Sequence, residues 1–332
     1  MTSNVQTRCD LLVENRNAIS KGFLIENSLI KIVTALIFAQ DGEVVDVDHL
    51  KECRDILRKK QGMFSDLRSN NELVVSAKMA KQGDPEGYLE DIIRIYKMLH
   101  EGKVIGSSYQ VLAALSICDA GKVSEAEEIV NKTKEIMKGM KAAHPFLTND
   151  EDTCFAVLLA MTKKDTAEIL DELEETYKDL KKNFAFHDNA VYSLAQVLTV
   201  FEGNSLEKSK KAMDIFNAFK DEGVNYGKNQ ELASIGSFIH SNMENHELVR
   251  EIIDTHDFLK NQKGFGMLDA GKTTRLMIAG LLVTTSNNAA NITANAAVIE
   301  GAIATVIAEE TAMMLAMVAI VSGTISSSSS NS

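Results

Sequence analysis

Tyr177-Lys178-Asp179-Leu180, followed by the apolar run Val191 to Val200, is the stretch whose reading decides the fold, because something close to it occurs three times. Tyr96-Lys97-Met98-Leu99 lies 81 residues upstream and leads into Val111-Leu112-Ala113-Ala114-Leu115. His256-Asp257-Phe258-Leu259 lies 79 residues downstream and leads into Met277-Ile278-Ala279-Gly280-Leu281-Leu282. Self-similarity at a fixed period marks a chain that stacks one supersecondary unit. One marker position shows the half-period: Leu57, Leu99, Met137, Leu180, Phe219 and Leu259 are 42, 38, 43, 39 and 40 residues apart. Each precedes Gly62, Gly102, Gly139, Asn183, Gly223 or Gly264, residue types that tolerate the left-handed conformation closing a helix. The expected fold is all-α: stacked helical hairpins of about 40 residues, an αα-solenoid of the HEAT-like kind, open or closed into an αα-toroid.

Composition agrees. Of 332 residues, 45% are hydrophobic and 25% charged, the balance of a folded chain. Two prolines and no run of alternating β-branched residues leave helix as the only regular state. Helices are expected near 48–61, 70–81, 86–101, 107–119, 123–139, 150–163, 167–182, 189–202, 206–222, 229–242, 246–262 and 272–285. They alternate in character. Leu73-Val74-Val75, Phe155 to Leu159 and Ile235 to Ile239 belong to nearly all-apolar helices, which should lie inside. Glu168 to Lys182 carries one apolar stripe (Ile169, Leu170, Leu173, Tyr177, Leu180) and should lie outside.

This divides the chain into a helical cap (1–47), the hairpin array (48–285), an apolar segment (286–325) and a serine-rich tail (326–332). No Lys or Arg follows Arg275, and the uncharged run Thr311 to Ile325 is 15 residues, short of the roughly 20 that span a bilayer. Residues 295–322 are therefore expected to cap the array, to pair with a second copy, or to touch a membrane surface peripherally. The net charge of −12 argues against nucleic acid as a partner. Cys9, Cys53, Cys118 and Cys154 are far apart, and the N-terminus carries no secretory apolar stretch, so reduced thiols in a cytoplasmic protein are expected.

Gly266-Met267-Leu268-Asp269-Ala270-Gly271-Lys272-Thr273 fits the GxxxxGK[ST] phosphate-loop pattern, but the segment before it reads as an amphipathic helix and not a strand. Gly266, Gly271, Lys272 and Thr273 are taken as a chance match, and no cofactor is expected. Asp150 and Asp152 sit in the acidic cluster after His144-Pro145 and are the candidate metal ligands. The stronger reading is a capping box of Thr148 with Glu151, like Ser69 with Glu72 and Ser124 with Glu127. No metal site is expected. His187 and Asp188 pair groups able to do acid–base work, without a nucleophile at useful spacing.

His144-Pro145-Phe146-Leu147-Thr148 with Asp152, the repeated Tyr-Lys-x-Leu and the Ala/Met-rich, serine-ended C-terminus resemble a bacterial family of unknown function found mainly in Firmicutes. The resemblance runs from about residue 20 to the tail. It implies a cytoplasmic, all-helical protein and carries no activity or site residues. The leading functional expectation is a non-catalytic scaffold that binds a protein or peptide on the concave face of the array. The alternative is a hydrolase-like αα-toroid enzyme with His187, Asp188 and Asp269 at one mouth of the ring.

Overall fold

The computed structural model describes residues 1–63, 65–68, 70–102 and 106–289. The apolar segment 295–322, the tail 326–332 and the capping box of Ser69 lie outside the described residues. Every element described is helical. Hairpins pair α1 (Ser3–Gly22) with α2 (Ser28–Gln40), α3 (Val47–Lys60) with α4 (Glu72–Ala80), and α5 (Pro85–His100) with α6 (Ser108–Asp119). They continue with α7 (Ala126–Ala143) and α8 (Asp152–Ala160), then α9 (Thr166–Lys181) and α10 (Asp188–Val200). Next, α11 (Ser205–Asp221) packs on a 3-10 helix, Gln230–Phe238, and α12 (Asn245–Lys260) on α13 (Lys272–Ala289).

The two layers follow from patterning. In α8 every residue from Asp152 to Ala160 is buried, and α6 is buried from Tyr109 to Cys118. Such helices have no side that tolerates water and must be enclosed. The helices between them bury one stripe: α9 buries Ile169, Leu173, Thr176, Tyr177 and Leu180 and exposes its charges. The repeated marker lies on the buried stripe of four outer helices, with Leu57, Leu180, Phe219 and Leu259 all fully buried; in α7 Met137 is only partly buried and Met140 takes that place.

Neighbouring hairpins do not meet at the sequence period. Outer helices touch at a separation near 30, as in Lys60–Glu90 and His144–Glu174. Inner helices touch at 42 and 44, as in Tyr109–Glu151 and Gln196–Asp152. Against a repeat of about 40, contacts between outer helices are thus offset by about ten residues, so the end of one outer helix meets the first half or middle of the next.

The first hairpin packs against the last. Helix α1 lies on α12 and α13, and α2 touches α13. Asn4 Nδ2 donates to the Ser286 carbonyl at 3.2 Å. Ser28 donates to Asp269 at 2.5 Å, and Arg16 reaches the same carboxylate at 3.7 Å. Arg16 lies across the backbone of Gly264 (φ +87°), where a Cβ would fall 1.8 Å from its guanidinium carbon.

Several expectations need correction. Within the expected cap, helix α2 begins at Ser28, where Asn27 caps it. Gly139 does not end α7, which runs to Ala143; it is a contact glycine whose Cβ would fall 2.3 Å from Leu170. Ser124 and Glu127 form no box, because a 3-10 turn over Val123–Glu125 takes the first of them. The box that does form joins Asp165 and Glu168 at the start of α9. Residues 230–238 wind as a 3-10 helix, drawn close to α10 at Gly236, whose Cβ would meet Val197 at 2.6 Å. Helix α13 runs through the expected boundary at 285 to Ala289.

Burying an unpaired charge costs several kcal/mol. Leu180→Asp is expected to lower the unfolding free energy by more than about 3 kcal/mol, whereas Leu206→Asp, on an exposed position, should change it by less than about 0.5 kcal/mol. Urea denaturation followed by circular dichroism checks both.

Candidate functional site

In every hairpin the outer helix hands over to the inner one at the same rim. Short connections make consecutive helices antiparallel, so all the outer helices end there and all the inner helices begin there. Side chains confirm the alignment. Asn71, before α4, donates to the Ser108 carbonyl that opens α6. Tyr109, in the first turn of α6, donates to Glu151 at the head of α8 at 3.0 Å. Gln196 of α10 donates to Asp152 at 2.6 Å.

The best-built part of this rim is the connection 144–151. His144 Nε2 lies 2.6 Å from a Glu174 oxygen, and its ring stands edge-on to Tyr177 and Tyr192 at 5.0 and 5.1 Å. Lys141 donates to the carbonyls of Pro145 and Thr148 at 2.6 and 2.7 Å, pinning the loop at both ends. Phe146, between them, is 96% exposed. The reciprocal cap of α8 is shifted one residue from the expected Thr148–Glu151 box. Asn149 Oδ1 accepts from the Glu151 N–H at 2.8 Å, and Asp152 Oδ2 accepts from the Asn149 N–H at 2.7 Å. The shift frees Glu151 for Tyr109 and commits Asp152 to the interior. Burial pushes the Asp152 carboxyl up to about 6, against opposing hydrogen bonds from Asn149 and Gln196.

The residues singled out from sequence are placed as follows. Asp188 begins α10 and pairs with Lys181 at 3.1 Å, with His187 just before it. Asp269 is held by Arg16 and Ser28 of the first hairpin. All three lie on the handover rim, but the α11 hairpin separates them. Among the described residues no hydrogen bond or ion pair joins Asp269 to His187 or Asp188. Asp150 is exposed while Asp152 is buried, so the two carboxylates do not converge. Among the described residues no group of three His, Cys, Asp or Glu side chains is arranged for a metal ion. All four cysteines are buried free thiols. Burial pushes the thiols of Cys9 and Cys118 up to about 12 and that of Cys53 to about 11.

The phosphate-loop letters occupy turns, not a loop after a strand. Asp269 and Ala270 both direct their N–H groups to the Gly266 carbonyl, so those donors are spent inside the loop. Arg275, 4% exposed, inserts from α13 and donates to the carbonyls of Phe265 (2.9 Å) and Ala270. Added Cβ atoms would have 3.6 Å of room at Gly266 and open space at Gly271, so neither glycine is sterically required.

Reasoning from sequence passed over Tyr109, Glu174, Tyr192 and Gln196. Gln110 and Gln196 are glutamines within otherwise apolar helices, and that misfit was the available signal. Also passed over were exposed apolar residues in the connections: Phe146, Phe186, Met267 and Leu268, the last two within the phosphate-loop letters.

An all-α protein of stacked helical hairpins, with its polar network and exposed apolar side chains gathered at the handover rim, is the class these observations define. The chain belongs to the family described as "Protein of unknown function (DUF4003)", whose model matches residues 15–312. Neither the curated proteins nor the solved structures give a match.

Two outcomes are expected. Folded Asp152 holds its proton to about pH 6, above the ordinary unfolded value of 3.8. Its contribution to stability is therefore full below about pH 4 and lost as pH rises through 6, a difference of up to about 3 kcal/mol. Asp152→Asn should remove that slope and stabilise the protein at pH 8, as read by thermal melts across pH. Separately, Arg275→Met should cost about 2–3 kcal/mol by leaving two carbonyls unpaired. Lys272→Ala should cost less than about 0.5 kcal/mol, with Mg-ATP shifting the melting of neither.

Proposed function

We propose that this protein is a non-catalytic docking scaffold whose hairpins close into an αα-toroid and whose handover rim is the binding surface. The observation that carries the reading is where exposed large apolar side chains fall. Leu24 and Ile25, Met63, Phe146, Phe186, and Met267 with Leu268 all lie in connections from an outer to an inner helix. Among the described residues only Val44 and Leu206 lie at the opposite end. Single exposed apolar residues are ordinary, but their gathering at one end of a repeat is not.

Phe186 adds to this. It is fully exposed and sits at φ 66°, the one residue other than glycine at positive φ among the described residues. A bulky side chain there carries backbone strain of roughly 1 kcal/mol or more, of the kind that persists at functional positions. The side chains of α4, α6, α8 and α10 are largely buried, which supports docking at the rim over docking on a concave face. Among the described residues no helix is long and apolar enough to cross a membrane. A cytoplasmic location with peripheral contacts fits the reading.

One observation favours a ring enzyme of hydrolase type: Asp152 has the tuned carboxyl such chemistry uses. It is 4% exposed and both its oxygens accept hydrogen bonds, which weighs against contact with a substrate.

Photo-reactive side chains placed at position 146, 186 or 207 of the full chain test the docking reading in living cells. Irradiation is expected to give covalent adducts from 146 and 186 and none above background from 207, which lies at the opposite end. Equal adducts from all three, or none from the rim positions, would overturn it.

A further inference from the structure

Resting on the reading of the handover rim as a docking surface, we infer that one part of it is covered by the chain's own residues 301–325. That part is the closure between the first and last hairpins, and an outside partner must displace the cover to dock there. The apolar side chains give the first argument. Ser28 donates to Asp269 at 2.5 Å and Arg16 reaches the same carboxylate, so the connection after α1 meets the connection after α12. Each carries two adjacent exposed apolar side chains, Leu24 with Ile25 and Met267 with Leu268. Among the described residues, the other exposed apolar side chains of the rim stand singly, at Met63, Phe146 and Phe186. The closure is therefore the densest apolar part of the rim, and such a concentration marks a contact. Its backbone is fixed on both sides. Lys31 donates to the Leu24 carbonyl at 3.2 Å, and Arg275 donates to the carbonyls of Phe265 and Ala270. Little order is lost when such a surface is covered.

Charge is the second argument. Lys21, Lys260, Lys263 and Lys272 stand exposed around these two connections, and among the described residues none of the four forms an ion pair. The acids nearby are engaged, Asp269 by Arg16 and Ser28, and Asp257 by His256 at 3.1 Å, which leaves Glu26 against four lysines. A second copy placed face to face would set the same lysines against one another. Residues 290–332 suit the place instead. They contain Glu300, Glu309 and Glu310, no Asp, Lys or Arg, and the uncharged apolar run Thr311 to Ile325.

Reach is the third argument. Helix α13 begins beside the patch at Lys272 and ends at Ala289, about 27 Å away for its 18 residues. The eleven residues 290–300 span roughly 36 Å when extended, enough to bring residue 301 back to the rim. Tethering supplies an effective concentration on the order of millimolar, so a patch too small to hold a free peptide is still occupied by a segment of its own chain.

The test uses the purified full chain, without any partner, carrying a photo-reactive side chain at position 268 or, as the control at the opposite end, at 207. Irradiated products are separated on a denaturing gel and the joined fragments identified by mass spectrometry. Position 268 is expected to be joined to residues 301–325 of the same chain, in a product of monomer size, and position 207 to none of them. Met313→Asp with Met317→Asp should lower the 268 adduct at least about tenfold. Glu309→Lys with Glu310→Lys, which sets like charges against the four lysines, should lower it about fivefold.

The inference falls if position 268 gives no adduct with 301–325, or if 207 gives as much. It also falls if the adducts join two chains, which would make a second copy the occupant, or if both segment variants leave the 268 adduct undiminished. Partner adducts from 146 and 186 in cells, with no adduct within the chain from 268, would strike the internal cover and leave the docking reading standing. The reverse result would strike the docking reading and leave the cover in place.

Discussion

Helix α8, Asp152–Ala160, has no side that can face water, and the arrangement around it follows from that constraint. At nine residues it is far too short to hold its own shape in solution, so its stability must come from packing. Each fully buried Leu, Val or Phe in it is worth about 1.5–3 kcal/mol relative to exposure. That gain needs α7 behind it and α6 and α10 on its flanks. The same holds for α4, α6 and α10. Once every inner helix requires a neighbour on both sides, the ends of the array are the exposed faults. Packing of α1 and α2 against α12 and α13, secured by Arg16, Ser28 and Asp269, covers them.

Some of the polar groups inside this core knit one hairpin to the next. Tyr109–Glu151 and Gln196–Asp152 do so at the handover rim. At the other end Lys78 pairs with Asp119 at 2.7 Å. A buried ion pair adds little net stability but is costly to break from one side, which makes such contacts better at fixing register than at adding strength. Register matters here because the inner and outer layers meet their neighbours at different sequence offsets. A slip of one turn would take Gln196 away from Asp152 while leaving the apolar surfaces almost equally covered.

The short connections, which make consecutive helices antiparallel, leave every outer helix pointing the same way. The rim where the outer helices end also receives the connections, and connections tolerate exposed side chains because nothing packs above them. Exposed apolar side chains thus gather at one place without any single residue announcing it.

By itself the sequence determined the helices, the period near 40, the division into inner and outer layers and the buried marker Leu180. These depend on hydrophobic spacing along one chain. It misplaced features where local letters compete: Gly139 has the look of a helix end yet serves a contact with Leu170, and Thr148 yields its capping role to Asn149. Only the tertiary structure decided which hairpins meet, at what offset, and that the first packs on the last. It alone showed that His187 and Asp188 stand apart from Asp269, and that Asp152 is joined to Gln196, 44 residues away. Such contacts are set by how packed surfaces slide over one another, and a periodic pattern is nearly indifferent to that slide.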